Sequence, residues 1–378
     1  MQVLLVSAFY PPVLGGAELQ AQSLARELDS LGVRVSILTR PYKGEDAEDH
    51  DRGIQIHRRL SALPVGPLWG LTYMMSTQRW LRRLHRQWDV VHNQQVGLHS
   101  WASVRVARAL GKSCLLRFSS LGQGGDLAVL QGHRFGHHLV KELRGARRFV
   151  ALTRAGAEEI VRYQLPADRI RGIPNGVDLL RFPAQSWPDV ARSDALRMLF
   201  VGRLSREKGL DVLLEALRQV KCRVSVSLRI VGSGPELGSL RAQTVAAGLD
   251  PMVEFCGPQH EVIAHYAWSE VVVLPSHFEG MPNVVLEAMA CARPVLGTRI
   301  DGTADLIAEG SGGWLVPSRD PVALAQRVEQ IANERVSLVS IGLVGRRIAE
   351  TKYSIARVAS MYLCEYEAML SEGMLGST

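Results

Sequence analysis

The sequence predicts an α/β protein of two domains, each a parallel sheet covered by helices on both faces. Three observations carry that prediction. Short apolar runs of strand length alternate with helix-length amphipathic stretches from end to end. The alternation restarts near Met198, after a segment dense in turn residues. A chain of 378 residues, 47% hydrophobic and 21% charged, is too long for one ordinary core yet has the composition of a globular protein.

The strand runs of the first half are 3–7, 33–39, 54–58, 90–92, 114–118 and 149–152, with helix-length stretches such as 17–31 and 100–110 between them. The opening Met1-Gln2-Val3-Leu4-Leu5-Val6-Ser7 reads as the first strand, not as a signal peptide. The second half repeats the pattern at 198–201, 227–231, 253–256, 271–274, 294–297 and 313–316. Between them Ile173-Pro174-Asn175-Gly176-Val177-Asp178 and the Pro/Ser/Trp segment after it place a hinge at roughly 174–193. The expected domains are therefore 1–175 and 176–354, followed by a terminal helix segment, 355–378. Periodicity leaves open whether that helix caps its own domain or crosses back to the first.

Net charge is +7, which suits nucleic acid, anionic lipid or phosphorylated small molecules. No nucleic-acid-binding motif accompanies it, so lipid or nucleotide is the expected partner and nucleic acid is not. The five cysteines are scattered and lack CxxC spacing. That argues against a metal cage or disulfide framework and for a reducing, cytoplasmic compartment. No apolar run is long enough to span a bilayer.

The densest chemistry lies in the second half. Val271-Val272-Val273-Leu274-Pro275 reads as a buried strand, and Pro282 suits the first turn of the helix that follows. Glu279 then falls in the loop, and Glu287, eight residues on, faces the same mouth from the helix. With the free amides at the helix start, the two carboxylates can hold a polyhydroxylated, phosphorylated ligand. The alternative is a solvated loop acid and a glutamate that merely favours the helix dipole. Leu199-Phe200-Val201-Gly202-Arg203-Leu204 with Ser205-Arg206-Glu207-Lys208-Gly209 is again strand, glycine turn and helix start. Arg203 and Lys208 can converge there on one anion, a fork and a point charge suited to a diphosphate. Two ordinary surface cations would sit poorly against the helix dipole at that place. Gly232 and Gly234 follow a further strand and let a ligand ring approach the backbone, although such a turn needs small residues anyway.

In the first half, Gly15 and Gly16 join the first strand to the first helix, where they either allow close approach to a phosphate or form a plain flexible loop. The segment is neither GxGxxG nor a Walker loop, so no standard dinucleotide or ATP site is expected. His92 ends a strand at the edge that faces the ligand crevice of an open sheet. It serves there as a donor or proton shuttle, or is simply a structural histidine. Arg117 and Ser119 close another strand, where they either bind an acceptor or its phosphate or belong to a solvated loop. Asp49-His50-Asp51 is formally a DxD, but it lies in an acidic, turn-like run and reads as a solvated loop with no metal. Over 71–88, Leu71, Met74, Met75, Leu81, Leu84 and Trp88 fall on one helical stripe. Arg79, Arg82, Arg83 and Arg86 lie on or beside the opposite face. Such a helix either lies on an anionic membrane surface or packs on its own sheet.

Together these residues resemble a retaining glycosyltransferase of family 4. Glu279 and Glu287 match that family's E-x7-E motif, Gly202-Arg203-Leu204 with Glu207-Lys208-Gly209 its diphosphate element, and Gly232-Ser233-Gly234 its nucleoside-side loop. Asn175-Gly176-Val177-Asp178 matches the entry to the second domain, and Gly15-Gly16 the first phosphate loop. The resemblance implies the GT-B fold, two Rossmann-like domains facing across a cleft, with the C-terminal helix crossing back to the first. It implies a nucleotide-diphosphate sugar as donor and a glycan, lipid-linked or natural-product acceptor, with no metal or other cofactor. Arg203 and Lys208 would hold the diphosphate, and Glu287 the ribose hydroxyls. Glu279 and the stretch Gly280, Met281, Pro282 and Asn283 would hold the sugar. Departures are Arg117, Ser119 and Ser120 where a histidine is common near the sugar, Ala292 in place of a glycine, and Asp305 in place of a glutamate. Two rival readings use the same residues: a sugar-nucleotide epimerase, and a non-catalytic nucleotide-sugar binding protein. The expected location is cytoplasmic, peripheral on the inner face of the membrane.

Overall fold

A computed structural model describes all residues except Leu14, Pro67, Leu121, 189–193, Gly310 and 376–378. The chain divides into two compact units, Met1–Gly176 with Ile355–Thr378, and Val177–Ser354.

The first unit holds an eight-stranded sheet. Its strands are β1 (Gln2–Val6), β2 (Arg34–Thr39), β3 (Glu48–Asp51), β4 (Ile54–Arg58), β5 (Val90–Asn93), β6 (Ser113–Phe118), β7 (Arg148–Ala151) and β8 (Ile170–Gly172). Their order is β3-β4-β2-β1-β5-β6-β7-β8. All neighbours are parallel except β3 and β4. Helices α1 (Gly16–Ser30), α2 (Leu68–Arg83), α3 (Leu98–Ala109), α4 (Asp126–Gln131), α5 (Gly136–Leu143) and α6 (Arg154–Arg162) connect them.

Strand alternation feeds two apolar layers. Leu4 and Val6 pack with Tyr73, Leu81 and Trp88 on one face, whereas Val3 and Leu5 pack with Leu24 and Leu28 on the other. This is why the strands read as continuous apolar runs instead of alternating ones.

The second unit carries seven parallel strands: β9 (Leu196–Val201), β10 (Val226–Val231), β11 (Val253–Gly257), β12 (Val271–Leu274), β13 (Val295–Thr298), β14 (Ala308–Glu309) and β15 (Gly312–Val316). Their order is β11-β10-β9-β12-β13-β15-β14. Its helices are α7 (Leu210–Val220), α8 (Leu237–Ala246), α9 (Ile263–Trp268), α10 (Asn283–Ala290), α11 (Asp301–Ala304), α12 (Pro321–Asn333) and α13 (Leu338–Lys352). Local signals set several helix starts. Asp320 accepts the amides of Val322 and Ala323 ahead of Pro321 at the head of α12, and Thr153 accepts that of Gly156 at the head of α6. The last helix, α14 (Ile355–Leu375), belongs to the first unit. Its Val358, Ala359, Tyr362, Tyr366 and Met369 join the layer of Val3 and Leu5.

Three local expectations are corrected. Asp49-His50-Asp51 is not a loop: it lies in β3, an antiparallel edge strand, where Asp51 takes a bidentate contact from Arg26. The hinge stretch, expected at roughly 174–193, is packed over part of its described length. Phe182 is buried, and Arg293 donates to the carbonyls of Gln185 and Ser186 while its guanidinium lies 4.7 Å from the Trp187 ring centroid. The hinge residues 189–193 lie outside the described residues. The stripe expected over 71–88 also divides. Leu81, Leu84 and Trp88 are core, while Leu71 and Met75 are 51% and 59% exposed. The helix ends at Arg83, and a 3-10 turn at His85–Gln87 swings Trp88 inward.

Candidate active site

In the second unit three loops gather at the carboxyl ends of adjacent strands. These loops follow β9, β10 and β12, which neighbour one another in the sheet. An open parallel sheet places ligands at such strand ends, where the order reverses. The β9 and β10 loops are zipped backbone to backbone: Gly202 donates to Val231, Leu204 to Ser233, and Glu236 back to Leu204. A Cβ at Gly232 (φ +144°) would stand 1.9 Å from the Gly202 carbonyl, and one at Gly234 2.2 Å from that of Leu204. These glycines therefore admit the neighbouring loop, where the sequence reading had them admit a ligand ring. Gly209, at φ +64°, packs in the same way against the Pro275 carbonyl, 2.1 Å from its would-be Cβ. His277 donates its amide to the Glu207 carbonyl at 2.7 Å. The anion-turn residues are thereby fixed against the loop of the glutamates.

The 3-10 turn Arg206–Lys208 ends with the Lys208 Nζ 2.6 Å from Oε1 of Glu279. Ser276 donates to the same carboxylate oxygen at 2.7 Å. Glu279 is thus no solvated loop acid. Its side chain is 10% exposed and that of Lys208 22%. Arg203 stands exposed in the loop between β9 and that turn. Lys208 precedes α7 instead of opening it, because Gly209 interposes a left-handed residue.

Gly280 and buried Met281 lead into α10, with Pro282 as its extended N-cap residue and Asn283 its first. Glu287, one turn in, is half-buried and accepts from the Tyr266 hydroxyl at 2.8 Å. Burial pushes its carboxyl above the ordinary range, opposed by the Tyr266 bond and the Arg181 charge. Sequence reasoning missed Tyr266, Ser276 and Arg181. Ser276 directly follows the apolar run 271–275 and stands three residues ahead of Glu279. Tyr266 lies in the six-residue helix α9, too short for a periodic signal.

The first-unit candidates fare differently. Gly15 caps α1, and its missing side chain makes room for Glu18, whose Oε2 lies 2.2 Å from where a Cβ would be. The helix's own acid thus lies over the segment Gly15-Gly16, where a phosphate was expected. His92 does not face an open crevice. Its β-register sets it between Leu5 and Leu115, and α14 covers that face. It is fully buried, its Nδ1 is 2.6 Å from the Tyr366 hydroxyl, and its ring centroid is 4.9 Å from that of Tyr362. Burial, then the nearby Arg117 charge, holds its pKa well below the ordinary value. Arg117 is buried too, donating to the Gln94 carbonyl and to Asn175. Its fork is used internally and is not offered to an acceptor. Ser119 lines a cavity and donates both amide and hydroxyl to Asp126.

Two open sheets, parallel but for the β3–β4 edge pair, with an acid–base pair and a helix start at the strand ends of the second, match the GT-B class of glycosyltransferase that the sequence resemblance implies. The chain belongs to glycosyltransferase family 4: residues 14–181 match the family model "Glycosyltransferase Family 4", and 195–334 match "Glycosyl transferases group 1". It is 30% identical to a D-inositol 3-phosphate glycosyltransferase of Pseudarthrobacter chlorophenolicus, over 94% of this chain and 90% of that one. Among solved structures, sucrose-phosphate synthase from Thermosynechococcus elongatus superposes with a TM-score of 0.83 at 21% identity, over 98% of this chain and 100% of that one. HepE of Anabaena, in complex with UDP, gives 0.79 at 18% identity, over 97% and 100%.

Proposed function

We propose that this glycosyltransferase moves a sugar, with retention of anomeric configuration and without a metal, from a nucleotide-diphosphate sugar to a glycan, lipid-linked or natural-product acceptor. The observation that carries the reading is the Lys208–Glu279 contact beside the start of α10. A lysine has three N–H donors; one meets Glu279, and two remain for a diphosphate. Arg203 and the amides at the start of α10 add positive potential at the same place, which is the work a metal does elsewhere. Charge developing on a departing diphosphate is stabilised there, and attack follows on the leaving group's own face. Glu279 holds the sugar and Glu287 the ribose hydroxyls. A UDP complex of HepE, on the same fold, supports a nucleoside diphosphate donor.

The membrane part of the reading rests on α2. Leu68, Leu71 and Met75 are exposed and continue on the same face into exposed Arg79 and Arg82, with Arg83 and Arg86 beside them. An apolar turn followed by a basic one suits a cytoplasmic, anionic lipid surface. Among the described residues no helix is long and apolar enough to cross a membrane.

The test is donor-dependent transfer by wild type and Arg203→Ala over a panel of nucleotide sugars and acceptors. Transfer that falls at least about tenfold in the variant supports the diphosphate role, and unchanged transfer refutes it. Donor incubated alone separates the rivals, because an epimerised sugar would mean isomerisation. Tight donor binding without turnover over the whole panel would mean a binding protein.

A further inference from the structure

The first unit contains a cavity of about 360 Å³ at the carboxyl ends of β1, β2, β5 and β6. That is room for one sugar or a compact headgroup. Phe9, Trp69, Val129 and Leu130 give it apolar walls. Two of its polar groups have no hydrogen-bond acceptor among the described residues. The Tyr73 hydroxyl is buried and makes no hydrogen bond among the described residues, and the residue is 3% exposed. Arg40 makes no ion pair or hydrogen bond among the described residues. Its guanidinium lies 5.1 Å from the Phe9 ring centroid and 5.8 Å from that of Trp69. Trp69 in turn stacks on Tyr73, centroids 5.1 Å apart.

A buried hydroxyl without a partner is unfavourable, and a guanidinium laid across two aromatic rings is positioned without being neutralised. Both can donate to one acceptor, and the guanidinium favours an acceptor that carries negative charge. The one carboxylate in the lining, Asp126, does not supply it. It accepts from the amides of Val96 and Ser119 and from the hydroxyls of Ser119 and Ser120.

We propose that this cavity is the acceptor subsite and that it selects a phosphorylated acceptor. The Arg40 fork and the Tyr73 hydroxyl hold the phosphate, and Phe9 and Trp69 hold the apolar face next to it. The proposal deepens the transferase reading and rests on it, since only a transferase needs an acceptor. The phosphate belongs either to a soluble sugar or polyol or to a lipid headgroup.

The experiment uses the full chain and four probes measured by calorimetry: inorganic phosphate, glycerol 3-phosphate, octyl phosphate and the neutral octyl glucoside. The phosphate probes bind wild type, and Arg40→Gln weakens them about tenfold or more. Tyr73→Phe weakens them by a smaller factor while leaving the melting temperature unchanged or higher, because it deletes an unpaired buried group. Phosphate can also reach the Lys208 turn, so the Arg40 comparison is repeated in a Lys208→Gln background, where its effect persists. Tighter binding of octyl phosphate than of glycerol 3-phosphate assigns the lipid source; equal binding assigns the soluble one; both support the proposal. Equal affinity of wild type and Arg40→Gln for all phosphate probes overturns it, as does octyl glucoside binding as well as octyl phosphate. Nucleotide-sugar binding is read on the same samples. Its absence from wild type would defeat the donor reading while leaving the Arg40 result to stand by itself.

Discussion

Lys208 and Glu279 lie 71 residues apart in sequence and 2.6 Å apart in space. The pair ties the turn after β9 to the loop after β12, and so joins the cation and the acid that the second unit presents at adjacent strand ends. Both side chains are largely covered, and each meets the other's opposite charge at hydrogen-bond distance.

Removing one partner separates these roles. Lys208→Ala leaves Glu279 with only Ser276 as a side-chain donor among the contacts described. It should lower stability by about 1–3 kcal/mol and weaken nucleotide-sugar binding about tenfold to a hundredfold. Glu279→Gln keeps the Ser276 bond, and should lower transfer more than it lowers donor affinity. Calorimetry and transfer rates on both variants check this. Loss of affinity alone in Glu279→Gln would put that residue in ground-state binding only.

Glu287 should trade stability for function. Its carboxyl is raised by burial, so the folded state binds its proton more tightly than the unfolded chain does. Its contribution is fully present below the ordinary value of 4.5 and is lost as pH rises through the higher folded value. Glu287→Gln should therefore gain in melting temperature relative to wild type as pH rises from about 4.5 to neutrality, while donor affinity falls. A difference that stays flat across that range would contradict the assignment.

Gly232 and Gly238 make a matched pair. Alanine at Gly232 drives a Cβ into the Gly202 carbonyl at φ +144°, and should destabilise the second unit by about 2 kcal/mol or more and weaken donor binding. Gly238 lies in α8 with open space around its would-be Cβ. Alanine there should stabilise by about 0.5–1 kcal/mol with donor binding unchanged. Thermal melts and donor titrations of the two variants test both.

His92 should be a structural neutral imidazole. Its folded pKa is depressed, so the stability linked to it is present above the ordinary 6.5 and is lost as pH falls from there through the folded value. His92→Gln should reduce the acid sensitivity of folding below pH 6.5 without moving the pH profile of transfer. A shift in that profile would return His92 to the chemistry.

The exposed arginines of α2 and of the 3-10 turn after it can be tested by vesicle pelleting. Each arginine near an anionic surface contributes about 1 kcal/mol. Reversing Arg79, Arg82 and Arg86 to glutamate should lower partition onto phosphatidylserine vesicles by more than about a hundredfold, with donor binding intact. Equal pelleting with and without anionic lipid in the wild type would retire the membrane reading.

The sheets were legible because parallel strands buried on both faces leave long apolar runs, as at 271–274. β3 was not, because an edge strand reading Glu-Asp-His-Asp has no apolar residue to mark it. The glutamate loop was legible from the order strand, acid, proline, helix. Its supports were not, since Tyr266 reaches Glu287 from a separate short helix. His92 and Arg117 misled for one reason: a strand end looks the same in sequence whether a ligand or a helix covers it. Here α14 covers that face, and its arrival from the far end of the chain leaves no periodic trace. The Arg40–Tyr73 cavity went unseen because its residues come from loops and helices scattered over the first 133 residues, without a shared motif.

The place of α14 has a consequence for biosynthesis. The layer over Val3, Leu5 and α1 is completed by Val358, Tyr362 and Met369, residues that are made after the whole of the second unit. The second unit is continuous from Val177 to Ser354 and is fully translated before that helix emerges. A nascent chain therefore carries an open apolar seam along these strands until that helix emerges, and the first unit is sealed only after the second has been made.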